Sequence, residues 1–202
     1  MGVDAERSSH RRLEEYVGAL PRGLDSFPEC QIKAGFCREL LAALPRAPAG
    51  LPAPLADLVA APPPISSWIP EVHHQALVEA IVDEFYDSRD AYLEVAYACQ
   101  RRLFSTRIYA PLLQLVSPER LLRQAAKRWG NFHRGTSLEV LEEGDHVAQL
   151  RVLHPPRLFT RTGLRSLGSG FRAAVDASRA QTCAVEICAR HLGSTTFEIR
   201  WS

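Results

Sequence analysis

The stretch Thr136–Trp201 constrains the fold most, because its spacing reads strand, strand, helix, strand, strand. Period-two alternation marks the strands. Thr136–Glu143 and His146–His154 form one predicted hairpin, turning at Glu143-Gly144-Asp145. Thr182–His191 and Thr195–Trp201 form a second, turning near Leu192-Gly193-Ser194. Ala148, Leu150 and Val152 share one side of the second strand. Cys183, Val185, Ile187 and Ala189 do so in the third, and Thr195, Phe197, Ile199 and Trp201 in the last. Each strand thus offers one apolar face, as antiparallel sheets usually do. Between the hairpins, Phe159–Ser178 has helical spacing, with Leu164, Leu167, Phe171, Ala174 and Val175 on one stripe. One such stripe laid over four half-apolar strands predicts a two-layer α+β unit.

The remainder reads as helical. Leu13, Tyr16, Val17 and Leu20 mark a short helix, and Ile32, Phe36, Leu40, Leu41 and Leu44 a second that ends before Pro45. Residues 45–64 are proline-rich and read as a semi-rigid connector. A helix entered at Ser67-Trp68-Ile69-Pro70-Glu71 places Leu77, Val78, Ile81, Val82 and Phe85 on its core side. Others span about Asp90–Phe104 and Ile108–Val116. Ser117-Pro118-Glu119 starts the next, with Ser117 as N-cap, Pro118 in the first turn, and Leu121, Leu122, Ala125, Trp129 and Phe132 as its stripe. The predicted architecture is a helical N-terminal part packed on a C-terminal four-stranded antiparallel ββαββ unit. Residues 1–64 form the N-terminal helices and connector, residues 65–202 the main α+β domain, and the whole one globular unit.

Charge is unevenly spread. Residues 1–100 hold 8 Lys+Arg against 15 Asp+Glu, and residues 101–202 hold 16 against 8, although the net charge is only +1. Such asymmetry fits complementary faces within one domain, head-to-tail association as in a homodimer, or an anionic partner. No apolar run approaches the roughly 20 residues that span a bilayer. Met1–Arg12 is polar and lacks the apolar segment of a secretory signal. Five cysteines without a CxxC pair suggest reduced thiols in a cytoplasmic protein.

Few residues announce chemistry. His73 and His74 are adjacent and diverge by about 100° on a helix. Glu71-Val72-His73-His74 also lacks the i, i+4 spacing of a helical zinc site, so no metal is expected. His74 falls on the apolar stripe, as a core histidine or a pocket-lining one. His133 is placed at a helix C-terminus, where an imidazolium is favoured by the dipole. His154 leaves the sheet near Arg157. Phosphate-loop and nucleophile-elbow motifs are missing, and Cys99 has no histidine nearby in sequence. Gly168 and Gly170 are read as permitting close helix–sheet packing. Arg161, Arg165, Arg172 and Arg179 share one face of the long helix. That face is either solvated, or paired inside the molecule with a Glu79/Asp83/Asp87 stripe, or a partner-binding surface. Interleaved aromatics and DNA-reading motifs are lacking, so nucleic acid is not indicated.

Ser117-Pro118-Glu119-Arg120-Leu121-Leu122, Trp129-Gly130-Asn131-Phe132-His133-Arg134-Gly135 and Phe197-Glu198-Ile199-Arg200-Trp201, with the hairpin and helix between them, resemble large myxobacterial paralogous families of unknown function. Their C-terminal half is similar to heme–nitric-oxide-binding and 4-vinyl-reductase-type small-molecule-binding domains. The resemblance covers roughly residues 65–202, and it implies the same terminal ββαββ arrangement. Heme is not implied. Of that family's Tyr-x-Ser-x-Arg propionate clamp only Arg157 is matched, with Leu153 and Pro155 in place of the tyrosine and serine. The region around Gln124 lacks the histidine that would bind iron.

The expectation from all this is a non-catalytic cytosolic sensory or regulatory module with no cofactor. It would bind a small apolar or amphipathic ligand, or a protein, at a cavity between helices and sheet. Trp68, His74, Trp129, Phe132 and Arg157 are the pocket candidates. The alternatives are an accessory enzyme of small-molecule metabolism with His74 or His133 as general acid or base, and an interaction scaffold using the arginine face.

Overall fold

The computed structural model describes residues 10–105, 116–178 and 180–202. The protein is α+β, with seven α-helices and two antiparallel sheets among these residues. The first half contains α1 (Arg11–Gly18), β1 (Gln31–Lys33), α2 (Ala34–Ala42), α3 (Ala53–Ala60), β2 (Trp68–Pro70), α4 (Glu71–Phe85) and α5 (Arg89–Phe104). The second contains α6 (Pro118–Arg128), β3 (His133–Arg134), β4 (Ser137–Gly144), β5 (Val147–Leu153), α7 (Arg161–Asp176), β6 (Cys183–His191) and β7 (Ser194–Trp201). The predicted helix over 108–116 falls almost wholly outside the described residues, as does Arg179.

The larger sheet has the order β4-β5-β7-β6. Its apolar phase is the one the alternation predicts. Ala148, Leu150 and Val152 of β5 and Thr195, Phe197, Ile199 and Trp201 of β7 are buried, and α7 packs on β6 and β7. The edge strand β6 departs from the expectation. Cys183 and Val185 pack on the core, but Ile187 stands exposed and the register slips between Ile187 and Ala189. The first hairpin turns at Asp145-His146, one residue later than predicted, since Gly144 still pairs with Val147. Trp201 fixes this turn: its N–H donates to the His146 carbonyl at 3.0 Å, and the two rings meet edge to face.

The smaller sheet, order β2-β1-β3, is absent from the sequence reading. Ile32, expected in a helix, pairs instead with Ile69 on one side and His133 on the other. The proline-rich connector is likewise more than a spacer. It contains α3, whose Leu55 is fully buried and contributes about 2 kcal/mol by that burial. Leu13, Tyr16 and Leu55 join the same core as Leu150, Phe197 and Ile199.

These elements meet on α4. Its Val72, Ala76 and Ala80 belong to the core under the large sheet, and Leu77, Val78, Ile81 and Val82 to a second core with α2 and α5. A helix covered on both sides is apolar almost all round, so the one-sided stripe expected here was too narrow. The polar residues Glu71, Gln75 and Glu79 are buried along with it. Helix α7 lies close to α4 and α5 through two glycines. A Cβ on Gly163 would overlap the Gln75 carboxamide, and one on Gly170 would stand 2.7 Å from Gln100 Oε1. Only Gly168 faces the sheet, against Phe197 and Val185. The close approach at Gly170 is therefore helix to helix.

Candidate functional site

Between α4, α5, α6 and α7 lies a cavity of about 610 Å³, within the usual size range of small-molecule sites. Its walls are largely aromatic and aliphatic, including Phe36, Tyr92, Trp129, Phe132 and Phe171. One part of the wall is polar: Glu71, His74, Gln75, Gln100 and His133.

The polar part is built where the small sheet feeds α4. Pro70 ends β2 and is the N-cap residue of α4, which makes Glu71 the first helical residue. A carboxylate is favoured there by the helix dipole, and the Glu71 N–H donates to the Cys30 carbonyl at 2.9 Å. Pairing of β3 with β1 then carries His133 across the molecule to Glu71. His133 Nδ1 lies 3.2 Å from Glu71 Oε2, with both side chains almost wholly out of water. On α4 itself, Gln75 Nε2 donates to Glu71 Oε1 at 2.9 Å. Gln75 Oε1 in turn accepts from the Thr160 N–H and hydroxyl. Trp129 stacks on His133 with centroids 4.1 Å apart and 11° between planes, and donates its indole N–H to Thr136 Oγ1.

Burial would push the Glu71 carboxyl upward, but the hydrogen bond and charge of His133, with help from His74 and Gln75, outweigh it and hold Glu71 below its ordinary value. His74 moves the other way from charge. Burial lowers its basicity, Glu71 opposes that, and His133 adds to it. An ionised carboxylate and a neutral imidazole thus share one apolar chamber. Two side-chain atoms of residues that line the cavity, His74 Nδ1 and Gln100 Oε1, are closed to solvent and have no hydrogen-bond partner among the described residues. Such atoms are rare in folded proteins and call for an explanation. Cys99 also lines the cavity. Burial raises its thiol above the ordinary value, and Arg102, 3.3 Å away, only partly offsets this, so it is not an activated nucleophile. No group of three or more His, Cys, Asp or Glu among the described residues is placed to hold a metal ion.

Three of the five predicted pocket residues, His74, Trp129 and Phe132, line this cavity. Trp68 lies outside it, in β2, between the Lys33 ammonium at 3.9 Å and the Arg134 guanidinium at 4.0 Å. Arg157 lies outside as well and ties the β5–α7 loop to α1, donating to the Ala19 carbonyl at 2.8 Å. His133 is not at the helix C-terminus where the sequence placed it, because a short 3-10 turn at Trp129–Asn131 ends the helical run and His133 enters β3. Glu71, Gln75 and Gln100 were missed. The signal for the first two is two polar residues four apart beside the apolar Val72, Ala76, Leu77 and Val78 of the same helix. Gln124, the position set against the iron ligand of the heme-binding domains, is on the cavity wall. His154, where the chain leaves the sheet, is held between the Pro155 carbonyl and Thr195 Oγ1.

The arginine face is partly occupied from within. Arg165 pairs with Asp90 at 2.5 Å, and Arg172 lies over the Tyr97 ring near Asp176. Neither meets the proposed Glu79/Asp83/Asp87 stripe: Asp83 is bound by Arg12, and Glu79 is buried. Arg161 is exposed and has no ion-pair partner among the described residues. No helix among the described residues is long and apolar enough to cross a membrane. Neither a protein-family model nor a curated protein matches this chain.

Proposed function

We propose that this protein is a sensory or regulatory module that binds a small, largely apolar ligand in the α4–α5–α6–α7 cavity, on a scaffold related to the heme–nitric-oxide-binding and 4-vinyl-reductase-type domains but without heme. The cavity carries this reading: its walls are mostly apolar, its size suits a small molecule, and a cluster of polar side chains, Glu71, His74, Gln75 and His133, is gathered on one part of the wall. A core kept solely for stability would be filled, since unfilled volume costs stability. Five free cysteines favour a reducing, cytoplasmic setting.

Native mass spectrometry of gently purified protein is the test, and a small organic molecule retained at stoichiometric level is the expected result. Bare protein that also binds no apolar probe would overturn the reading. Added hemin should give no stoichiometric Soret band, because Leu153 and Pro155 replace the clamp residues.

A second reading has an observation of its own. Glu71 fixes His133 through Nδ1 at 3.2 Å, the arrangement that orients a general base. On this reading His133 exchanges a proton with a substrate in the cavity while Glu71 holds its ring in place. Turnover of any cavity-binding compound that His133→Gln abolishes, with binding kept, would favour it over the purely sensory reading.

A further inference from the structure

We infer that the ligand is an amphipathic acid, with its apolar body inside the chamber and its anionic head at the mouth, between Arg120 and Arg128 of α6. The inference rests on the cavity being a ligand site, as proposed above, and adds the chemistry of what enters it and which way round it lies.

Arg120 and Arg128 both line the cavity and are both exposed. A side chain that does both stands where the chamber meets water. The two lie eight residues apart on α6, about 12 Å along its axis. Gln124, midway between them on the same face, lines the cavity as well. Leu121 and Ala125 of the same helix also line it and pack against the core. α6 therefore offers an apolar surface to the interior and a cationic edge to the opening.

Nothing inside the molecule accounts for these two charges. Arg123, on the same helix, pairs with Glu143, but neither Arg120 nor Arg128 has an ion-pair partner among the described residues. Helix stability explains only one of them. Arg128 is in the last turn, where a cation complements the helix dipole, whereas Arg120 is the third residue of α6, where a cation opposes it.

The interior sets the orientation. His133 holds Glu71 ionised there, so a second buried carboxylate would meet a like charge and would lose its water besides. At the mouth the same head keeps part of its hydration and meets two guanidinium groups, whose planar donors fit a carboxylate. Glu39 of α2 is the other acid on the wall and is half-buried, so α6 supplies the cationic side of the opening. Phe36, Tyr92, Trp129, Phe132 and Phe171 receive the apolar body.

The experiment uses three probes with one body, 4-phenylbutyrate, 4-phenylbutanol and 4-phenylbutylamine. Each is titrated into the full chain at neutral pH, at low and high salt, with calorimetry as the readout. The acid should bind roughly fivefold tighter than the alcohol at low salt, with the amine weakest, and high salt should shrink the acid's advantage. Arg120→Gln/Arg128→Gln should bring the acid down to the level of the alcohol. Unchanged binding of the alcohol by that variant reports an intact chamber. Equal binding of acid and alcohol by the unaltered protein, or tightest binding of the amine, overturns the acid and leaves the cavity reading in place. An acid advantage kept by the double variant overturns the assignment to these two arginines. Binding of none of the three overturns both readings. The comparison on the unaltered protein decides for or against an acid even if the variant does not fold.

Discussion

The two sides of α4 are built on opposite terms. Toward the large sheet, Val72, Ala76 and Ala80 belong to the core that holds Leu150, Phe197 and Ile199, with the buried Glu79 carboxylate near Tyr16 of that core. Toward α5 and α6, the same helix offers Glu71, His74 and Gln75 to a chamber of about 610 Å³. One side spends its residues mostly on close packing, and the other keeps volume and a cluster of polar side chains, Glu71, His74, Gln75 and His133, out of water. Packing explains the apolar residues of the first side. The second is a set of local costs that stability alone does not repay, and such departures are where function is expected.

The comparison can be broken by mutation. Phe197→Ala removes a fully buried ring at the centre of the filled side and should cost about 3–5 kcal/mol in denaturant melts. A loss below about 1 kcal/mol would mean that this core is looser than described. Gly163→Ala tests the junction between the two sides. Its Cβ would displace the Gln75 carboxamide, which is buried and bonded to Glu71 and Thr160. A cost of about 1–3 kcal/mol is expected, and a neutral result would show Gln75 free to move.

Acid should unsettle the polar side first. Burial lowers the basicity of His73, His74 and His154 in the folded protein. Each takes up a proton more readily when unfolded, so stability should fall as pH drops below about 6.5. Glu71 acts lower down. Its depressed folded value means that its contribution is present above about 4.5 and is lost as pH falls through that lowered value. Urea melts from pH 8 to pH 4 should show the decline, and His74→Phe should shrink its upper part. A flat profile in the unaltered protein would show that these groups are not set by burial. The smallest effect belongs to the surface: Arg165→Ala breaks an exposed pair with Asp90 and should change stability by about 0–1 kcal/mol. A larger loss would make the arginine face part of the core architecture.

The filled side was legible because long strands and one amphipathic helix repeat their signal many times over. Phe197, Ile199 and Trp201 alternate, and Leu164, Phe171 and Val175 fall on one stripe. The other side was half legible. Trp129 and Phe132 stood out as large aromatics beside glycines, and His74 as a polar residue on an apolar stripe. Gln100 looks like an ordinary surface residue in sequence, since only tertiary packing orients it. β1 and β3, at three and two residues, are too short for any periodicity to register. Without them nothing in the sequence joins residue 133 to residue 71.

That short pairing has a consequence in time and in local stability. Ile32 and His133 are neighbours across β1 and β3, so the pairing closes a loop of about a hundred residues, and contacts of such separation form late and slowly. Two residues of ladder offer little to hold β3 in place compared with the seven paired positions between β5 and β7. β3 can therefore open by itself at less cost than the sheet core. Each opening takes His133 away from Glu71 while the rest of the protein stays folded. A ligand that packs against Trp129 and His133 would oppose that opening, and its arrival would be read out as slower amide exchange along residues 129–134 with the large sheet unchanged.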